Sequence, residues 1–376
     1  MMTRNRMDVP TGLLNELRIM EFLVITALLA VASMSPECGG NTPSLPATSQ
    51  PTFANPIVNS EDTGDPDMWQ YNGSYYFTFT PNPNDRGVEV WRSSGITTID
   101  CGTKSVVWEP PASGPYSKDI WGPNIYFLQG KWYMYLAADD GNNAHHRMYV
   151  LQGTTSNPQD PFIMVGEITS ADNGWAVDGA VIQANDGSLY FVWSGTANGG
   201  LVLPQNIYIA PMSDPVTISG PRVMISTPTL PWEQTVAPIQ EGPVFLTHNN
   251  AQYIFYSADA SWSSHYKVGY LVNQSGNLLD PTSWTKAPEP VLQSYVGPEG
   301  SIYAPGAASF VKSPDGSQDW VIFHTSDDPN DGYKNRKAHA QQFTWDEQGN
   351  PVFGNVIPRG IAIAAPSGQT ATCQNQ

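Results

Sequence analysis

The chain is poor in charge, and poorest in positive charge: 14% of its 376 residues are charged, with 17 Lys and Arg against 34 Asp and Glu, a formal net charge of −17. That balance argues against a nucleic acid or an anionic membrane as partner and suits a neutral one. Cysteine is scarce as well. Cys38, Cys101 and Cys373 make neither a disulfide scaffold nor a metal-binding spacing. Cys38 and Cys373 lie at opposite ends of the chain, so one bridge closing the domain is available, and it would leave Cys101 over. His145 and His146 are adjacent and cannot chelate zinc as a helical pair would. The apolar run at residues 22–32 is too short to span a bilayer. It follows Arg4, Arg6 and Arg18 and ends in small residues, the pattern of a secretory signal, so residues 1–34 are set apart as a signal peptide and an extracellular, secreted protein is expected. Residues 35–54, rich in Pro, Ser and Thr, are expected to be a disordered lead. Asn72-Gly73-Ser74 and Asn273-Gln274-Ser275 are glycosylation acceptor sequences.

What the chain does have is turns and aromatics. Gly and Pro number 33 each and aromatic residues make up 11%, a composition suited to many short strands joined by turns. The pattern repeats. Residues 65–79 read as a strand, an Asn72-Gly73 hairpin turn and an alternating aromatic strand, and the same order returns at 121–136, 177–193, 241–256 and 304–324. Further strands follow at 88–91, 148–151, 207–210 and 267–271. Units of strand, turn and aromatic strand recurring about every 55 to 65 residues are the blades of a propeller. The fold class expected is all-β, a five-bladed β-propeller over residues 55–365, with 366–376 as a C-terminal tail.

In a propeller the first strand of each blade lines the central axis, so residues at the entries of those strands converge at one end of the channel. The entries are Asp65 or Asp67, then 122–124, Asp178, Glu241, and Gly306 or Ala307. Three carry carboxylates. Like charges brought that close cannot all stay ionised, so one of the three is expected to keep its proton near neutral pH.

Asp65-Pro66-Asp67 after Asn55-Pro56-Ile57, Ile120-Trp121-Gly122-Pro123-Asn124, Val177-Asp178-Gly179 and Glu241-Gly242-Pro243 together resemble the ordered motifs of glycoside hydrolase family 43, from about Asn55 to Gly360. Members of that family are five-bladed propellers that remove arabinofuranose or xylose from plant polysaccharides. The resemblance implies Asp65 as catalytic base, with Asp67 as the competing choice, Glu241 as general acid, and Asp178 as the residue that raises the acid's pKa and orients it. The chemistry implied is inversion: one carboxylate deprotonates a water while a carboxylic acid, about 6.5–9.5 Å away, protonates the departing oxygen.

Trp121 is a candidate wall of the sugar pocket, since a flat aromatic stacks on the apolar face of a pentose, and Trp262 a candidate rim. His324 and Arg336 resemble family positions near the channel floor that bind sugar hydroxyls or fix the acids. One departure bears on metal: many relatives carry a histidine in a Pro-Gly-His pattern that helps organise a central ion, and here the segment is Ala304-Pro305-Gly306-Ala307. No metal or other cofactor is expected to be required, an axial structural cation being the one left open. The function implied is an exo-acting α-L-arabinofuranosidase, a monomer acting on arabinose- or xylose-containing polysaccharide or oligosaccharide. β-Xylosidase and endo-arabinanase are the alternatives within the family, and a sugar-binding propeller without activity the alternative outside it.

Overall fold

Asn72 and Gly73 both take the left-handed backbone that a tight hairpin demands, with φ of 48° and 71°, and they join strands Gly64–Tyr71 and Ser74–Thr80. The same device turns the first hairpin of the second unit, where Gln129 and Gly130 have φ of 50° and 80° between Lys118–Leu128 and Lys131–Asp139. A computed structural model describes residues 51–169, 174–370 and 373. Within it five antiparallel sheets follow one another along the chain, each beginning with one of these inner hairpins.

Blade one consists of Gly64–Tyr71, Ser74–Thr80, Val88–Ser93 and Thr103–Trp108; blade two of Lys118–Leu128, Lys131–Asp139, Arg147–Gly153 and Phe162–Glu167. Blade three has Ala176–Gln183, Leu189–Thr196 and Gln205–Asp214, with two short strands pairing the last. Blade four runs from Gln240–His248 through Ala251–Ala258 and Lys267–Asn273 to Trp284–Lys286. Blade five is built on Gly300–Lys312, Asp319–Ser326 and Lys337–Trp345. The expected all-β, five-bladed propeller is therefore the observed fold.

The core lies between blades, which is why the second strands are apolar on both faces. In Lys131–Asp139 the residues Trp132, Met134, Leu136 and Ala138 pack with Val88 and Val90 of blade one, while Tyr133, Tyr135 and Ala137 pack with Val181 and Phe191 of blade three. Alternate side chains thus serve alternate neighbours. Each fully buried side chain of this size contributes roughly 1.5–3 kcal/mol, so every blade owes much of its stability to the two beside it.

The ring is closed by both ends of the chain. Thr52–Ala54 pairs antiparallel with Ala362–Ala364, the side-chain amide of Asn55 bonds both the N–H and the C=O of Ala340 at 2.9 and 3.0 Å, and Ile57 N–H donates to Ala338 C=O at 2.8 Å. Residues 52–54, expected as part of a disordered lead, are thus a strand, because a partner more than three hundred positions away supplies the ladder that their own sequence does not announce. The expected tail is also part of the closure. Ser367 bonds Asp315 and Gln318 of blade five, Gln369 bonds Thr97 of blade one, and Cys373 is bridged to Cys101 with their Cα atoms 5.9 Å apart. The bridge envisaged from Cys38 to Cys373 is corrected accordingly: Cys373 pairs with Cys101, because the C-terminal segment runs back across the short 3-10 helix Ile96–Cys101. Cys38 and the expected signal peptide lie outside the described residues. Of the two acceptor sequences for glycosylation, Asn72 is exposed, whereas Asn273 is fully buried, with its amide donating to Asn277 C=O at 2.9 Å.

Because the disulfide joins residues 272 positions apart, it restricts a very long loop of the unfolded chain. Replacing Cys101 and Cys373 together by Ala is expected to lower stability by about 3–5 kcal/mol. Urea unfolding of both proteins, with the wild type repeated in reductant, measures the difference; equal midpoints would mean that the bridge is dispensable to closure.

Candidate active site

Every inner strand is interrupted at the same place. The pairing register slips between Gly64 and Asp67, Trp121 and Asn124, Val177 and Ala180, Glu241 and Val244, and Gly306 and Ser309. At each slip one residue is left-handed: Asp65, Gly122, Asp178, Gly242 and Ala307, with φ of 51°, 50°, 56°, 60° and 50°. These are β-bulges, which bend the strand and re-aim its side chains locally. Asp tolerates the conformation better than most residues; for Ala307 it is strained. Gly242, although it precedes Pro243, forms one of these bulges.

A bulge removes a backbone N–H from the ladder, and the structure gives four of these donors a partner. Gly122 N–H donates to Thr80 Oγ1 at 2.9 Å, Gly242 N–H to Asp178 Oδ2 at 3.0 Å, Ala307 N–H to Ser257 Oγ at 2.8 Å, and Asp65 N–H to His324 Nδ1 at 3.1 Å. Thr80, Ser257 and His324 occupy one repeated position, opposite Gly64, Glu241 and Gly306, and each reaches the bulge of the following blade. The ring of strands is tied across blades at the axis.

The three carboxylates singled out from the sequence line one cavity of about 630 Å³. Asp65 and Asp178 occupy bulge positions. Glu241 does not: it stands one residue earlier, in register with Gly64, Trp121, Val177 and Gly306. Repeat alignment by motif alone misplaces it by one residue, since a strand's slip is invisible before pairing is known.

Asp65 faces a cation. Arg336 NH1 lies 3.2 and 3.3 Å from its two oxygens and Thr80 Oγ1 donates to Oδ2 at 2.6 Å. Burial pushes this carboxyl up, but Arg336 and Thr80 outweigh it and hold Asp65 below the usual carboxylate range. Gly64 makes room for that pairing, because a Cβ there would sit 2.0 Å from the guanidinium. Glu241 has neutral partners: Tyr266 O–H donates to Oε1 at 2.9 Å, Gln205 Nε2 to Oε2 at 3.3 Å, and the Ser261 side chain bonds it as well. Burial, aided by the charge of Asp65, raises Glu241 despite those bonds. Asp178 is raised well above the carboxylate range by burial, then by the charges of Glu241 and Asp65. The expected direction of influence changes here. Glu241 owes its shift to burial first, and the mutual repulsion falls on Asp178, whose contact with the Glu241 strand runs through the Gly242 N–H.

Asp67, the competing base, is turned away from the main cavity. It lines a narrow channel of about 30 Å³ beneath it and accepts a hydrogen bond from Ile125 N–H at 2.8 Å, tying blade one to blade two; burial pushes it up to about 7. The same channel is where an axial cation would have to sit. Ala307 contributes a methyl group there, Asp67 already accepts from blade two, the Asn124 amide donates to Gly179 C=O at 3.1 Å, and no group of three or more His, Cys, Asp or Glu among the described residues is arranged to hold a metal ion. Asp65, Asp178 and Ser309 line the channel as well, so oxygen-bearing side chains wall it on more than one blade.

Trp121 lines the cavity, backed by the buried ring of His146 at 4.0 Å and 25°. Trp262 lines it too, 43% exposed and 6.0 Å from the ring of Tyr333. Arg336 reaches the cavity, but His324, 1% exposed, does not: it stands behind Asp65 and has no free edge for a sugar hydroxyl. Its Nδ1 accepts, so the proton is on Nε2, and burial with the nearby Arg336 charge lowers its pKa to about 3. Sequence reasoning missed Tyr266, Gln205, Thr80, Tyr333, and the apolar pair Leu201 and Leu203 on the cavity wall. A signal existed for Thr80 and Ser257, which close the aromatic strand of their repeats where His324 closes the fifth. None existed for Leu201 and Leu203, which sit in a connection.

The sequence profile of glycosyl hydrolases family 43 matches residues 53–351. The chain is 32% identical over 359 residues to an extracellular exo-α-(1→5)-L-arabinofuranosidase of Streptomyces avermitilis, covering 93% of this chain and 72% of that protein. It is 30% identical over 351 residues to α-L-arabinofuranosidase 43 of Humicola insolens, covering 91% and 70%. Among solved structures, an α-L-arabinofuranosidase from Lactobacillus brevis superposes with a TM-score of 0.76 at 30% identity, covering 82% of this chain and 98% of that one. With its five interrupted inner strands and three axial carboxylates, the chain belongs to glycosyl hydrolase family 43.

Proposed function

We propose that this enzyme is an exo-acting, inverting α-L-arabinofuranosidase, secreted and monomeric, which releases terminal arabinofuranosyl residues from arabinan or arabinoxylan. The relatives' names support the substrate, and "extracellular" in the name of one of them supports the location. The observation that carries the mechanism is the opposite treatment of two carboxylates in one cavity: Asp65 beside a guanidinium, Glu241 among neutral hydroxyl and amide donors.

In this reading Asp65 stays ionised and takes a proton from a water on one face of the sugar. Glu241 keeps its proton and delivers it to the departing oxygen on the other, so no covalent intermediate forms. Asp178, between blades two and four, holds the Gly242 N–H and so the backbone that carries the acid. Trp121, Trp175, Trp262 and Tyr333 wall the cavity on several sides, which suits one terminal residue of a branched chain. Arg336 does two things: it keeps Asp65 charged, and it presents a donor at the cavity floor. Neither a metal nor another cofactor takes part.

Three outcomes test this. Glu241→Gln is expected to slow cleavage of an arabino-oligosaccharide by about 100- to 10,000-fold, and proton NMR of the first-formed sugar from the wild type should show the β anomer; an α product would refute inversion. A panel of nitrophenyl pentosides fixes the sugar, with the α-L-arabinofuranoside expected to be cleaved fastest; cleavage of none would favour a sugar-binding protein.

The pH profile of kcat/KM should be a bell. Activity rises as pH climbs through the pKa of the base, held below the carboxylate range, and falls as pH climbs through that of the acid, raised above it. Arg336→Gln removes the cation and is expected to move the acidic limb to higher pH, leaving the alkaline limb nearer its place. Finally, dialysis against a chelator should leave the rate unchanged; a loss restored by calcium would overturn the cofactor-free reading.

A further inference from the structure

Tyr266 and His324 are both almost fully buried, and neither is a residue of the cavity wall. Their rings lie parallel within 7° with centroids 5.8 Å apart. Each touches a different one of the two reacting carboxylates' residues. Tyr266 O–H donates to Glu241 Oε1 at 2.9 Å, and His324 Nδ1 receives Asp65 N–H at 3.1 Å. Blade five stands between blade four, which carries Glu241, and blade one, which carries Asp65, and His324 is its residue in the stack.

Resting on the reading of Glu241 as acid and Asp65 as base, we propose that the Tyr266–His324 stack is a positioning device that sets the placement of one reacting carboxylate relative to the other. Two features show that the stack is built rather than incidental. The first is Gly306, directly opposite His324 on the inner strand of blade five: a Cβ there would lie 1.9 Å from the Tyr266 ring, so the glycine makes the space that the tyrosine fills. The second is Ser257, which accepts the Ala307 N–H at 2.8 Å and also bonds the Tyr266 hydroxyl, so blade five's bulge and the phenol share one anchor. Both ring partners are locked in one chemical form. His324 stays neutral because burial and Arg336 depress it, and Tyr266 stays protonated because burial and the facing Glu241, Asp178 and Asp65 raise it. The hydroxyl therefore always donates to Glu241, and the imidazole always accepts from Asp65.

The two halves of the device predict different kinetic signatures, which general loss of packing would not. Tyr266→Phe keeps the ring and removes the hydroxyl. It is expected to lower kcat on arabinobiose, whose leaving group needs protonation, about tenfold, while changing cleavage of a dinitrophenyl α-L-arabinofuranoside less than threefold. The hydrogen bond from Tyr266 favours the ionised acid, so its loss should also move the alkaline limb upward by about half a pH unit or more. Gly306→Ala, which crowds the ring, should reproduce that selectivity. His324→Phe keeps a ring in the stack and removes the acceptor for Asp65, so both substrates should slow equally, and His324→Gln, which restores an acceptor oxygen, should recover part of the loss. Equal losses on both substrates in Tyr266→Phe, or a leaving-group dependence in His324→Phe, would overturn the proposal. A carbon NMR titration of Glu241 needs no substrate: if the wild type cleaves neither glycoside the arabinofuranosidase reading falls, and an unmoved Glu241 titration in Tyr266→Phe would then sink this inference on its own.

Discussion

The left-handed residue that breaks each inner strand is the constraint on which the rest depends. A straight strand would alternate its side chains between two neighbouring blades and send none along the axis. One inserted residue re-aims the chain, and it frees a backbone N–H that needs a partner. The molecule meets that demand from the second strand of the preceding blade, through Thr80, Ser257 and His324, and from Asp178 in blade three. The same bonds that pay for the bulges therefore join the blades at the axis and fix the carboxylates there. The geometry of the axial carboxylates and the closure of the ring are one set of interactions.

The sequence made the blades legible because each begins with a hairpin whose turn residues and aromatic alternation are local. It made the carboxylates legible because Asp65, Asp178 and Glu241 stand in recurring strand entries. What it hid is non-local. The slip that sets Glu241 one residue ahead of Asp65 and Asp178 exists only once two strands are paired. The partner of Cys373 depends on where the last residues cross blade one, and the strand at Thr52–Ala54 has its partner at the other end of the chain. His324 showed in the sequence as a polar residue near the floor, yet its depth behind Asp65 follows from the register of blade five, which places it opposite Gly306.

Burial alone would push all three axial carboxyls toward their neutral forms, and it is the first cause acting on each of them. A single cation changes that outcome for one residue. Arg336 is reached only because Gly64 has no side chain, so the choice of which carboxyl stays ionised is set by a glycine on the inner strand of blade one. Asp178 carries the heaviest penalty because both other carboxyls face it, and its useful contact in the neutral form is the one seen, an oxygen that receives a backbone N–H.

Glu241 receives the opposite treatment, and the segment leading to it shows how. The segment before it is pinned by two other buried carboxylates. Asp259 receives the N–H groups of Thr235, Val236, Ala237 and Ala260, and Glu233 receives those of Thr229 and Leu230 together with Lys286, the Gln240 amide and the Tyr256 hydroxyl. Those two residues take the backbone donors and Lys286, so the chain arriving at Glu241 is already fixed in place. Glu241 is thereby relieved of any structural need for a cation. Its partners, a phenol, an amide and the Ser261 side chain, orient it without compelling it to ionise. A carboxyl that was held by Lys286 would be rigid and charged; one held by neutral donors beside a rigid neighbour is rigid and free to carry a proton, and only the second kind can serve as a general acid.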